Sequence, residues 1–274
     1  MRQFSPEYLR DTRRGLWDDR TALSLLDLDH RERILDVGTG TGELSRVLKA
    51  EADVEVIGID ADRALLEHGP DTTDRVQGDA LRLPFTDDSF DLVVCQALLI
   101  NLPDPTAAID EFARVSRDLV AAIEPDNGDV AVDSTVASEA PLADRARRRY
   151  IAGVETDVTL GSTVEDLFRA ADLESIETSH HELTRRVSPP YSDADVESAK
   201  RKAQGTRIDE QRRTLLAGGL SDSGVDELRD EWQKMGRAVA EQMANGEYER
   251  EAVVPFFVTV GRVPAAESSP ETSR

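Results

Sequence analysis

Apolar and polar positions follow two rhythms along this chain. Short β-branched runs predict strands at 33–37 (RILDV), 54–59 (VEVIGI), 91–95 (DLVVC), 119–123 (LVAAI), 175–183 (SIETSHHEL) and 255–263 (PFFVTVGRV). Helical spacing fills the intervals at 42–51, 62–68, 105–116, 139–152 and 162–171. Strand–helix–strand order of this kind predicts an α/β protein with a doubly wound, mostly parallel sheet and helices on both faces. The last run alternates more strictly, which suits an edge strand running antiparallel.

Two further helices flank this core. Ser5 reads as an N-cap with Pro6 and Glu7 in the first turn, and a second helix is expected over about 18–28. Before the last strand lies a segment rich in helical spacing. Its clearest part is 222–244, where Val225, Leu228, Trp232, Met235, Val239 and Met243 form one apolar stripe. The expected domains are therefore an N-terminal helical cap at 1–30, a sheet domain at 31–185 and 252–263, a helical insertion at 186–251, and a disordered tail at 264–274.

Charge changes the picture of the surface. Fifty-five Asp and Glu face 33 Lys and Arg, for a net charge of −22 over 274 residues. Only four of the basic residues are lysines: Lys49, Lys200, Lys202 and Lys234. Such a surface resembles that of salt-adapted proteins, because self-repulsion of this size is screened once the Debye length falls to about 3 Å at molar salt. A nucleic-acid partner is disfavoured by the same charge. No apolar run approaches the roughly 18 residues of a membrane span. The N-terminus is charged and lacks an apolar signal core, and the single cysteine, Cys95, cannot form an internal disulfide. A cytoplasmic protein is expected, with no membrane contact.

The candidate chemistry begins at Gly38, Gly40 and Gly42, at the carboxyl end of the first predicted strand. Doubly wound sheets bind ligands there. Glycine permits a positive φ and lets a ligand approach the backbone, while the next helix aims free N–H groups at the same place. The dinucleotide fingerprint G-x-G-x-x-G would need a third glycine at Glu43. A carboxylate in that position repels a pyrophosphate, which argues against a nicotinamide-dependent oxidoreductase. A ligand with a positive centre and no phosphate fits better.

At this point the residues resemble a family. ILDVGTGTGEL (34–44) is similar to motif I of the class I S-adenosylmethionine (SAM)-dependent methyltransferases. VIGIDAD (56–62) resembles their second strand, and QGDALRLPFTDDSFDLVVCQALLINLPDP (77–105) their third and fourth motif block. LFRAADLESIE (167–177) resembles the helix leading into their sixth strand. The resemblance implies a seven-stranded Rossmann-like sheet with SAM as cofactor. It implies that Gly38, Gly40 and Gly42 face the methionine part and that Asp36 orients the loop or senses the amino group. Asp60, with Ala61 beside it, would accept the ribose hydroxyls. Asp79 and the backbone of Ala80 would hold the adenine, and Gln96 would lie under the methyl donor. Relatives often carry a Lys-Pro-Gly-Gly turn before the fifth strand, and ARVSRDLVAAIEPD lacks it.

The acceptor is less legible. An Asn/Asp-Pro-Pro-Tyr/Phe tetrad, used on the exocyclic amines of bases, is absent, and QALLINLPD resembles the small-molecule, ubiquinone- and menaquinone-type branch. A small organic acceptor is expected, with a tRNA or protein methyltransferase, or a non-catalytic SAM- or S-adenosylhomocysteine-binding partner protein, as alternatives. Monomer and homodimer both remain open. Methyl transfer demands alignment more than a catalytic constellation. Glu124, at the end of the fifth strand, is the candidate general base or substrate contact. Cys95 reads as a core residue, His180 and His181 as structural, with no metal site. The run RARRRY (145–150) reads as a solvated helix face, with an anionic-acceptor pocket as the sharper alternative. Tyr8, Arg13 and Trp17 are candidates to close over the cofactor, and the insertion to act as acceptor lid.

Overall fold

The computed structural model describes residues 5–13, 15–69 and 73–264. The elements in chain order are α1 (Pro6–Arg13), β1 (Arg33–Val37), α2 (Glu43–Glu51), β2 (Glu55–Asp60), α3 (Arg63–Leu66), β3 (Asp74–Gln77), β4 (Phe90–Gln96), α4 (Pro105–Val115), β5 (Ser116–Pro125), β6 (Ala131–Ser134), α5 (Glu139–Gly153), α6 (Val164–Ala170), β7 (Glu174–Val187), α7 (Asp193–Gln204), α8 (Thr206–Glu210), α9 (Arg212–Ala217), α10 (Asp222–Asn245) and β8 (Arg250–Arg262). The chain divides into two compact units: 1–125 with 160–181 and 256–274, and 126–159 with 182–255.

In the first unit β1 pairs in parallel with β2 and β4, β2 with β3, and β4 with β5. The final strand runs antiparallel to β5, from Leu119 opposite Arg262 to Pro125 opposite Phe256. It is not an edge: β8 also pairs with β7. Thr178 meets Thr259, His180 meets Phe257 and His181 meets Phe256, so the two strands advance in opposite directions. Burial explains the composition of the central strands. Every residue of β4 is buried, and Leu35, Val37, Val93, Cys95, Val120 and Ala122 share one core with Ile109 and Phe112 of α4 and Phe168 of α6. A strand covered on both faces needs apolar side chains on both. Asp104 caps α4 through the Ala107 amide, with Pro105 in its first turn.

In the second unit, β6 pairs with the first residues of β8, Ala131 opposite Val253 through Ser134 opposite Arg250. The predicted stripe of α10 is buried at Val225, Leu228, Trp232, Met235 and Val239 and packs with Leu142, Ala146, Ile208 and Leu215. Gly236 allows α7 to approach α10 closely, since a Cβ there would lie 2.3 Å from the Ala203 nitrogen. Ser221 caps the start of α10 and Gly246, at φ +72, ends it.

Several expectations are corrected. The sheet has eight strands rather than seven. β3 and β6 have four residues each and too little apolar alternation to be read locally. The helix expected at 18–28 is two 3-10 turns, Arg20–Leu26 and Leu28–His30, because Asp27 adopts the left-handed conformation at φ +51 between them. Residues 126–159 cluster with the helical insertion rather than with the sheet domain. Of the expected tail, all but Pro264 lies outside the described residues. No helix among the described residues is long and apolar enough to cross a membrane.

Candidate functional site

The glycine loop begins where β1 ends. Gly38, Gly40 and Gly42 all have positive φ, at +70, +58 and +74. L residues adopt that region at a cost, so the turn requires glycine three times. The amides of Gly38 and Thr39 both donate to the Ile59 carbonyl, at 2.8 and 3.1 Å, which fixes the loop to the end of β2. Gly42 is the N-cap of α2.

Two carboxylates hold this turn. Asp36 is 1% exposed, and its Oδ2 accepts from the hydroxyls of Thr39 (2.8 Å) and Ser45 (2.5 Å). Its Oδ1 is buried without a hydrogen-bond partner. Burial raises the Asp36 pKa above its ordinary value, outweighing the two hydroxyls. Asp60, at the tip of β2, accepts from the Gly40 amide through Oδ2 and from the Asp62 amide through Oδ1, each at 2.8 Å. Burial raises its pKa also. A carboxylate has about four acceptor positions, so Asp60 keeps capacity for two more donors. Ala61 is exposed next to it, and its carbonyl accepts from Gln77.

The remaining sequence-derived residues surround the same strand ends. The Gly78 amide donates to the Asp60 carbonyl, placing the turn after β3 beside β2. Within that turn Asp79 is exposed and accepts from the Leu81 amide, while Ala80 is buried. Gln96 closes β4 at 4% exposure, and its Oε1 has no partner. Glu43 is tied to Arg13 of α1 at 3.1 Å and accepts from the Thr41 hydroxyl at 2.6 Å. Leu9 and Arg13 lie over Gly40, where a Cβ would come within 3.0 and 3.4 Å of them. Trp17 is buried. The side chain of Tyr8 lies outside the described residues.

Glu124 is 0% exposed at the end of β5. Oε1 accepts from the amides of Leu98 (2.9 Å) and Leu99 (2.8 Å), Oε2 lies 3.5 Å from the Ile100 amide, and the Cys95 thiol stands 3.7 Å away. Burial pushes its pKa up to about 7 against those amides. The same burial, with Glu124 beside it, drives the Cys95 thiol well up, so Cys95 is a protonated core residue.

Sequence reasoning did not foresee Thr39 and Ser45 on Asp36, or Leu98. A Cβ on Gly38 would meet the Leu98 side chain at 2.8 Å. The hydroxyl of Ser45 sits in the first helical turn after the glycines, a spacing that carries some signal, whereas the approach of Leu98 to Gly38 joins segments distant in sequence. Arg145, Arg147 and Arg148 pair with Glu231 and Asp144, and Arg149 donates to the Gly218 carbonyl. His181 stacks on Phe256, and His180 meets Phe257 at a tilt of 37°. No group of three or more His, Cys, Asp or Glu among the described residues could hold a metal ion.

With this geometry in hand, residues 35–119 match a family profile described as a methyltransferase domain. A demethylmenaquinone methyltransferase of Corynebacterium glutamicum is 36% identical over 103 residues, 37% of this chain and 44% of that protein. One from Roseiflexus is 42% identical over 91 residues, 31% and 38% of the two chains. The alignment thus spans less than half the length of these curated relatives. Among solved structures, the YcgJ protein of Bacillus subtilis superposes with a TM-score of 0.52 at 17% identity, over 90% of this chain and 100% of that one. A Bacillus halodurans protein, BH2331, gives 0.52 at 15% over 89% and 98%. At such identities these neighbours speak for the fold alone. Sheet order and glycine turn agree with that match: residues 35–119 are similar to a methyltransferase domain, on a fold shared with these neighbours.

Proposed function

We propose that this protein is a SAM-dependent methyltransferase acting on a small organic acceptor by in-line displacement. The observation that carries the reading is the triple left-handed glycine turn with Asp36 Oδ1 buried and unpartnered behind it, inside a segment that matches a methyltransferase domain. An orphaned buried acceptor calls for a donor, and the ammonium of an amino-acid ligand is one. When bound, SAM supplies an electrophilic methyl on a sulfonium.

The chain's residues have the remaining tasks. Gly38, Gly40 and Gly42 give backbone contact to the methionine part. Asp60 takes the ribose hydroxyls on the acceptor positions that Gly40 and Asp62 leave open. Asp79 and the Ala80 amide would hold the adenine, and Gln96, buried at the end of β4 with Oε1 unpartnered, would face the methyl-donor end. Alignment in a water-poor site supplies most of the rate, with an upper range of about 7–11 kcal/mol. A base is required only where the acceptor must lose a proton. Glu124 is not assigned that role, since its carboxylate is fully buried among amides. Small-molecule specificity is supported by the relatives' printed activity, demethylmenaquinone methylation.

Calorimetry with SAM and S-adenosylhomocysteine in molar KCl tests the reading, followed by mass spectrometry of a cell extract supplied with labelled SAM. Asp60→Ala should weaken SAM by about 2–4 kcal/mol, the loss of charge-assisted bonds. Binding without label transfer would favour a non-catalytic SAM-binding protein. An unmoved melting temperature at saturating SAM, together with an Asp60→Ala variant that behaves as wild type, would refute the proposal.

A further inference from the structure

The segment after β4 has an unusual anchor. Ala97 takes a positive φ of +50, its amide donates to the Ile123 carbonyl, and its own carbonyl accepts from the Asn101 side chain at 2.7 Å. The next three amides, Leu98, Leu99 and Ile100, point at one carboxylate on the neighbouring strand, that of Glu124. Leu98 is only half-buried, and its side chain lies against Gly38, within 2.8 Å of where a Cβ would stand. A continuous path therefore runs from a fully buried carboxylate, through three backbone amides, to the surface that the first glycine presents.

We propose that Glu124 is a positioning residue: it fastens residues 97–101 so that Leu98 is seated on Gly38, and thereby sets the affinity of the glycine loop for the methyl donor. The proposal rests on the methyltransferase reading above and gives Glu124 no proton to transfer. An ordinary core residue could not do this work. Three amides in a row at a strand end cannot join a ladder, and leaving them unpaired in a buried place costs more than ordering one carboxylate. An acceptor with two oxygens, reaching across from β5, satisfies them together. A β-branched or shorter side chain at 124 would release the segment and let Leu98 leave the glycine.

Two readouts test it on the full-length chain. The first needs no ligand: hydrogen exchange of the Leu98, Leu99 and Ile100 amides. Glu124→Ala should speed their exchange by about tenfold or more, and Glu124→Gln, whose amide oxygen still accepts, should hold it close to wild type. The second is donor binding and turnover. Glu124→Ala should raise the SAM dissociation constant and KM by about tenfold or more while kcat at saturating donor changes less than about threefold. Glu124→Gln should restore the affinity. Leu98→Ala keeps the carboxylate intact and should weaken SAM by about threefold to tenfold, which covers the case in which Glu124→Ala does not fold. A Glu124→Gln enzyme that binds SAM normally but loses kcat would overturn the proposal in favour of a base. Unchanged exchange in folded Glu124→Ala would overturn the fastening itself. If wild-type protein fails to bind SAM, the methyltransferase reading falls and takes the affinity role with it, while the exchange experiment still decides whether Glu124 fastens the segment.

Discussion

Two buried carboxylate sites in this molecule are built on opposite principles. In the second unit, Glu139 is 2% exposed yet fully provided for. Lys202 Nζ lies 2.6 Å from Oε1, Arg250 lies 3.1 Å from the same oxygen, and Oε2 accepts from the hydroxyls of Ser134 (2.7 Å) and Tyr248 (2.8 Å). Burial opposes the charge, but the cations and Ser134 prevail and hold the Glu139 pKa below its ordinary value. In the first unit, the side chains that hydrogen-bond Asp36 are the hydroxyls of Ser45 and Thr39, one of its oxygens is unmatched, and burial prevails. Neutral donors do not offset the desolvation of a carboxylate as an ammonium at 2.6 Å does. Lys202 itself is lowered by burial despite Glu139, the usual consequence of removing an ammonium from water. The contrast separates a carboxylate completed inside the fold, whose role is structural, from one left incomplete at a strand end, where a ligand can complete it.

The largest effect that sharpens this contrast is expected in the second unit. Glu139→Ala should destabilise the protein by about 3–5 kcal/mol, since it strands Lys202 and Arg250 with the Tyr248 and Ser134 hydroxyls. Chemical denaturation measures it, and a loss below about 1 kcal/mol would show that the cluster does not need its carboxylate.

A titration of stability breaks the comparison in a second way, through opposite signs. Glu124 has its folded pKa raised to about 7 from 4.5, so its contribution is present in full below 4.5 and is lost as pH rises through about 7. Those two values differ by enough to make that loss roughly 3 kcal/mol. Its surroundings are the protonated Cys95 thiol on β4 and, beside that thiol, Asp36 on β1, whose own raised pKa acts in the same direction. Glu139, whose pKa is lowered, contributes above 4.5 and loses its contribution as pH falls through its folded value. Denaturant midpoints between pH 4.5 and 8 should show Glu124→Gln flattening the neutral-side decline and Glu139→Gln leaving that decline in place. A slope unchanged in Glu124→Gln would contradict the first sign.

The smallest effect concerns the incomplete site itself. Asp36→Asn keeps the shape and an acceptor for Thr39 and Ser45, and removes a charge that burial already disfavours. It should change stability by less than about 1 kcal/mol while weakening SAM measurably, the reverse of Glu139→Ala. Thermal melting with and without donor reads both numbers.

The legibility of the chain follows the same physics. β1, β2, β4 and β5 were readable because strands buried on both faces carry apolar runs on both, with their buried polar residues near the ends. The stripe of α10 was readable because Val225, Leu228, Trp232, Met235 and Val239 all face one core. The glycine turn and Asp60 were readable as a motif of fixed spacing. β3 and β6 were not, being four residues long and held by neighbours rather than by their own pattern. The assignment of Glu124 as a candidate base came from its place at a strand end, and only its burial against Leu98, Leu99 and Ile100 shows what faces it.

By itself, then, the sequence determined where backbone geometry is obligatory: which runs are strands, which face of α10 is buried, and where the chain must turn through left-handed glycines. Those are local demands of sterics and hydrophobic periodicity. Tertiary structure decided the state and partner of each carboxylate: Asp36 incomplete, Glu139 satisfied, and Glu124 raised among amides. Charge state depends on desolvation and on groups brought together from segments as far apart as Glu139 and Tyr248, and no local pattern encodes those distances.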